Sequence, residues 1–80
     1  MKSRIYCLHF VPALEEWSLV TLDIGYSHES LDIVKDYKKT LYDHSKLHTC
    51  YRVTVEAIGP IEAFAKGAKL IMNEVKKDGT

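Results

Sequence analysis

Three short runs of apolar residues in this chain have the pattern of strands, and in the second and third runs hydrophobic and polar residues alternate, as is typical of a strand with one buried face. The first run covers residues 4–11 and is rich in β-branched and aromatic side chains. A break at residues 12–16 separates it from a second run over residues 17–26, so these two runs predict a hairpin. The third run, residues 49–58, ends at a glycine and a proline and predicts a third strand.

A spacing of three and four residues between apolar positions predicts two helices. Ser27 has the hydroxyl expected of an N-cap, and the helix that it opens should run to residues 44–46. The apolar stripe of this helix comprises Leu31, Val34, Tyr37 (or Lys38) and Leu41. Pro60 suits the first position of the second helix. The face of this second helix that should be buried against the sheet is a stripe of Ile61, Phe64, Ala65, Ala68, Ile71, Met72 and Val75.

The order of these elements, β-β-α-β-α, predicts an α+β fold in a single domain over residues 1–80. The connection from the second strand through the first helix is long enough for a right-handed crossover, which would make the second and third strands parallel. The first strand is the most apolar and fits the slot between them. We therefore expect a two-layer sandwich, in which a three-stranded mixed sheet in the order 2-1-3 carries both helices on one face.

The first strand is apolar on both faces of the pleat, although the predicted fold has helices for only one face. Successive side chains of a strand point to opposite faces, so one set enters the core and the other faces away. The sequence leaves open which set is buried. An uncovered face would carry the candidate partner-binding residues Tyr6, Leu8, Phe10, Trp17, Leu19 and Arg52. Alternatively, Trp17 and Phe10 only seal the edge of the hairpin.

Charge and composition argue against several classes of protein. Eleven basic and eleven acidic side chains cancel, so no overall field would attract nucleic acid or an anionic membrane. An apolar fraction of 46% and a charged fraction of 28% are typical of a folded globular chain. The apolar run over residues 5–11 is too short for a signal peptide or a membrane span, so we expect a cytoplasmic protein. Cys7 and Cys50 both lie in predicted strands and should be buried thiols.

Candidate catalytic and metal-binding groups are few and poorly arranged. His44 and His48 would lie near Cys50 as zinc ligands only if the first helix continued through His48, and a solvated helix end is the competing interpretation. His9 could serve as a base, but a structural histidine in the central strand is commoner. Residues 28–30 fit the first turn of a helix better than a catalytic triad. We therefore predict no catalytic residue, no metal and no cofactor.

An apolar sheet face without recognisable chemistry predicts a non-enzymatic protein-binding module. It would act by occlusion or assembly, as small inhibitors and adaptors do, including viral ones, and its partner would be a foreign protein or a second copy in a homodimer. The alternative is a small-ligand binder with a site between protomers, built from Arg52, the histidines and the aromatic residues. Two further hypotheses are an oligomeric enzyme with His9 as its base and a base-stacking platform for nucleic acid, which the neutral charge disfavours.

Overall fold

The computed structural model describes residues 3–22, 30–36 and 48–78. These ranges hold four strands and one α-helix: β1 (Arg4–Val11), β2 (Glu16–Thr21), β3 (Ser30–Asp36), β4 (His48–Ala57) and α1 (Pro60–Asp78). The strands form one sheet in the order β2-β1-β4-β3, and each neighbouring pair is antiparallel. The α+β class predicted from the sequence is therefore confirmed.

The β1–β2 hairpin has a tight connection. β1 ends at Val11, and Pro12–Leu14 forms a single 3-10 turn whose first carbonyl accepts a hydrogen bond from the backbone N–H of Glu15 at 3.1 Å. Glu15 has a φ of 50°, in the left-handed region, where a side chain costs about 1 kcal/mol or more. The chain then enters β2 with Trp17 opposite Phe10. The turn therefore fixes the register of the hairpin.

The predicted first helix is wrong where the structure tests it. Ser30–Asp36 forms strand β3, which pairs with β4 along its whole length. Leu31 and Val34 have the spacing of a helix, but Leu31 and Ile33 have the spacing of a strand, and two adjacent β-branched residues favour the strand. Hydrogen bonding to the outer edge of β4 decides between these two local possibilities. The remaining positions of the predicted helix lie outside the described residues.

The predicted sheet needs correction too. β1 does lie between β2 and β4, the place expected from its apolar sequence. However, β3 adds a fourth strand, and the sheet is antiparallel throughout rather than mixed. Of the two helices predicted for one face, the described part of the chain contains α1 alone. The pairing of β1 with β4 sets Tyr6 opposite Val55, so the centre of the sheet joins residues that are distant in sequence.

The helix α1 packs across β1 and β4 on one face of the sheet. Leu8 is 0% exposed at the centre of this contact, opposite Val53 of β4. The helix lies very close to the sheet at Gly67, where a Cβ atom would lie 2.8 Å from Leu8 Cδ2 and 3.0 Å from Val53 Cγ1. A larger residue at this position would force either the Leu8 and Val53 side chains or the helix itself to shift. The core comprises Tyr6, Leu8, Phe10, Tyr51, Val53, Val55, Ala57, Ala63 and Ile71.

Candidate functional site

Three of the predicted partner-binding residues lie in the core. Tyr6, Leu8 and Phe10 are buried beneath α1, so the expectation that they line an uncovered face is wrong. The sequence of β1 did not decide which of its two faces packs against a helix. In the structure the even-numbered positions pack against α1. Their cross-strand neighbours in β4 are also apolar and buried, so packing α1 on this face removes a large apolar area from water.

Two other predicted residues, Trp17 and Leu19, lie on the same face but at its margin, where β2 forms the edge of the sheet. The indole of Trp17 stacks on Phe10, with ring centroids 4.0 Å apart and planes inclined by 22°. The indole also contacts Phe64 of α1, with a centroid distance of 5.2 Å and an angle of 56°. These three rings therefore join β1, β2 and α1, and Trp17 does seal the edge of the hairpin.

The face opposite α1 carries Arg52, the last predicted residue, directly across from His9. Cys7 and Cys50 are buried thiols on this face, as predicted, so its centre is not an exposed apolar surface. The sulfur of Cys7 lies 3.9 Å from both ring nitrogens of His9. Arg52 is thus separated by the sheet from the aromatic rings under α1. Among the described residues of one chain, Arg52 and these rings are therefore not brought together into a single ligand or base-stacking site.

The remaining candidate motifs also change. His48 is the first residue of β4, so the helical spacing that made His44 and His48 candidate zinc ligands does not exist. Ser30 opens β3 rather than standing in the first turn of a helix. His44, His28 and Glu29 lie outside the described residues. Within residues 3–22, 30–36 and 48–78, no three His, Cys, Asp or Glu side chains are grouped to hold a metal ion.

One flank of α1 is charged and polar. It carries Glu62, Lys66, Lys69, Asn73 and Lys77. The Nζ atom of Lys66 donates to the backbone carbonyl of Glu56 in β4 at 2.9 Å and lies 3.5 Å from Oε1 of Glu62. This contact places the charged flank on the β4 side of the helix. An open depression of about 330 Å³ runs along it, lined by Val55, Lys66, Lys69 and Leu70.

The opposite flank of α1 is apolar. Its residues follow one another at three- and four-residue steps and form a stripe of Ile61, Phe64, Ala68, Met72 and Val75. Ala68 and Val75 pack partly against the core, but Ile61 is 88% exposed and Met72 is 39% exposed. The contact between Phe64 and Trp17 places this stripe beside β2. Apolar side chains therefore continue from the core out to the edge of the sheet.

The backbone of β2 can be assigned residue by residue. The N–H of Leu22 donates to the carbonyl of Ile5 at 2.9 Å, which makes these two a hydrogen-bonded pair. Such pairs alternate in an antiparallel ladder, so every second residue back to Glu16 also bonds to β1. The three residues between them direct their N–H and C=O groups outward: Trp17, Leu19 and Thr21. Within the described ranges no strand pairs with this side. We call this outward row and the apolar stripe of α1 the β2-side surface.

The apolar spacing of α1 predicts that part of this surface lies in the core, but the structure exposes it. The positions of α1 that face the sheet are Ala63, Gly67 and Ile71, spaced four residues apart. Ile61 and Met72 belong to the apolar stripe, which lies beside these sheet-facing positions on the surface of the helix. The small residues at four-residue spacing were the available signal, because a helix that packs closely on a sheet needs small side chains at the contact. The predicted strand order 2-1-3 had already placed β2 at an edge of the sheet, because the more apolar β1 fits the slot beside it.

Comparisons with protein-family models, curated proteins and solved structures found no match for this chain. Among the described residues, no helix is long and apolar enough to cross a membrane. Function must therefore be inferred from the chemistry of the β2-side surface.

Proposed function

We propose that this protein is a small, non-enzymatic protein-binding module that adds another polypeptide strand to the outer edge of β2. The observation that carries this proposal is the exposed apolar stripe of α1 directly beside an edge strand whose outer backbone groups are directed outward. Edge strands present a row of N–H and C=O groups that another chain can pair with. In strand addition these groups supply affinity, and alternate side chains supply specificity.

The side chains of β2 suit this role. Natural edge strands are commonly protected by lysine, proline or an inward-pointing charge. The three residues that direct backbone groups outward, Trp17, Leu19 and Thr21, are all uncharged, and the sequence of β2 contains neither lysine nor proline. An added strand would place every second side chain against the stripe of α1. Apolar area on the side of that stripe nearest the added strand would then be removed from water, which favours binding.

The partner would thus contribute an extended segment with apolar residues at alternate positions. Binding of this kind covers a surface or joins two chains, and it requires no catalytic group in the module. Strand addition at β2 is compatible with both occlusion and assembly. It uses the β2-side surface, whereas the sequence pointed to an uncovered sheet face. The sheet face opposite α1 takes no part.

The test uses a matched pair of positions on α1. Met72 and Leu70 are 39% and 40% exposed, but Met72 lies on the apolar stripe and Leu70 lines the charged side. A photo-crosslinking benzoylphenylalanine is placed at either position in the full chain, produced in its native host. We expect a discrete cross-linked product from position 72 and much less from position 70.

A second substitution ties that product to the strand edge. Thr21→Pro removes an outward N–H without removing a bond to β1, and proline is tolerated on the outer side of an edge strand. The product from position 72 should disappear in this background but persist with Thr21→Val. Equal labelling from positions 70 and 72, or labelling that survives Thr21→Pro, would contradict strand addition at β2. Circular dichroism checks that each variant keeps its fold.

A further inference from the structure

We propose that the strand added to β2 is the β2 strand of a second copy, giving a two-fold symmetric dimer with one continuous eight-stranded sheet. This inference rests on the proposed function, since it names the occupant of the same edge. A two-fold interface brings identical surfaces together, so the surface must be complementary to itself. The backbone of β2 meets that requirement.

The outward backbone groups define one register. In an antiparallel pair, a residue that directs its N–H and C=O outward must face another such residue. Centring the two-fold axis on Leu19 sets Leu19 opposite its own copy and Trp17 opposite the second copy's Thr21. Every outward N–H and C=O of both strands then has a partner. If the axis is moved by one residue in either direction, at least one of Trp17, Leu19 and Thr21 in each copy faces a residue that lies outside the second copy's β2.

The side chains also tolerate this register. On the face opposite α1 it sets Ser18 across from the second copy's Val20, and Glu16 across from the second copy's Leu22. No two like charges stand opposite each other, whereas opposed like charges destabilise cross-strand pairs. The chain has no net charge, so two copies approach without overall repulsion. The charged flank of α1 lies on the β4 side, away from the axis.

The helices would line a shared groove. Gly67 lies over Leu8 and Val53, so α1 lies above the boundary between β1 and β4. Two such helices would be about 19 Å apart across the axis, or four strand spacings of about 4.8 Å. Packed helices are about 8–10 Å apart, so a groove remains between them. Leu19 and Trp17 from each copy would form its floor, and the apolar stripes, with Ile61 and Met72, would form its walls.

The contact is modest in size. Roughly a dozen residues of each copy would meet, fewer than the about 20–30 of a standard interface, so we expect a dissociation constant in the micromolar range. Sedimentation velocity of the purified full chain across that range should show a shift from 9.2 kDa to twice that mass. Thr21→Pro should raise the dissociation constant more than tenfold, and Thr21→Val should leave it within about twofold.

A disulfide tests the register itself. Hydrogen-bonded antiparallel pairs have Cα atoms about 5.5 Å apart, which a disulfide can bridge. Leu19→Cys should therefore yield a covalent dimer under mild oxidation. Val20→Cys is the matched control, because the register sets it opposite serine rather than another cysteine. The native thiols Cys7 and Cys50 are buried and should not contribute.

The outcomes separate the two proposals. A dimer that Thr21→Pro dissolves and that Leu19→Cys, but not Val20→Cys, locks covalently supports the inference. A monomer at all concentrations overturns it but leaves the proposed function standing if position 72 still labels a different polypeptide in an edge-dependent way. A dimer that neither substitution affects overturns the inference, because it uses another surface. A monomer without any labelling at position 72 rejects both proposals.

Discussion

The two flanks of α1 lie on the same helix but differ in what they contact and what they leave exposed. On the β4 side, Lys66 bonds to a backbone carbonyl of the sheet, and charged groups meet water. On the β2 side, Phe64 contacts Trp17, and the apolar residues continue outward to Ile61. A helix on a closed domain is usually apolar only towards its core. Here the apolar arc is wider on the side where β2 forms the edge of the described sheet, and this difference is the observation from which strand addition was proposed.

The largest loss of stability should come from Trp17→Ala, which removes the contact that β2 makes with the apolar flank of α1. Its indole contacts Phe10 and Phe64, so truncation removes apolar contacts from three elements. We expect a loss of about 2–4 kcal/mol in the free energy of unfolding, measured by urea denaturation. Val20→Ala, on the exposed side of the same strand, is the control and should cost below about 1 kcal/mol. Equal losses from the two variants would mean that the β2 margin is not packed as described.

Gly67→Ala tests the contact between α1 and the sheet, at the position that lies between the two flanks of the helix. In an isolated helix this change adds about 1 kcal/mol of stability. In this protein the new methyl group would meet Leu8 and Val53 at 2.8 and 3.0 Å, so we expect a net loss of about 1–3 kcal/mol. The comparison variant is Ala65→Gly at an exposed position, which should lose about 1 kcal/mol from helix propensity alone. A stabilised Gly67→Ala protein would contradict the close approach of α1 to the sheet.

Lys66→Ala should have the smallest effect. Its side chain is 47% exposed, and its ion pair with Glu62 is at the surface, where such pairs contribute below about 1 kcal/mol. The difference from wild type should shrink further in 0.5 M salt, because salt screens exposed charges. Thermal melts at two salt concentrations measure this. A salt-insensitive loss comparable to that of Trp17→Ala would remove the contrast between the flanks.

The fold was predictable where local pattern and tertiary structure agree. β1 follows from its β-branched and aromatic residues, β4 from alternation, and the hairpin from the break at Pro12. α1 follows from its apolar spacing and Pro60. The strand β3 was missed because residues 31–34 satisfy a helical spacing as well as a strand spacing. Only its hydrogen bonding to β4 distinguishes the two, and local sequence does not contain that information.

The site was predictable only in part. Trp17 and Leu19 were singled out as large apolar residues on an uncovered sheet face opposite the core, but both pack at the margin of the core on the α1 side. Phe64 and Met72 were assigned to the core, because apolar spacing does not distinguish a buried stripe from an adjacent exposed one. Which stripe is buried depends on where the helix can approach the sheet. Gly67 determines that approach.

The pairing of β1 with β4 has a consequence for synthesis on the ribosome. Tyr6 and Val55 are neighbours in the sheet but roughly fifty positions apart in the chain, whereas the hairpin partners of β1 follow it at once. At about 5–20 residues per second, the ribosome needs about 3–10 seconds to make the intervening segment. During that interval the β1–β2 hairpin has neither β4 nor α1 to cover Leu8. Newly made chains would therefore be open to chaperones, and to one another, before the sheet is complete.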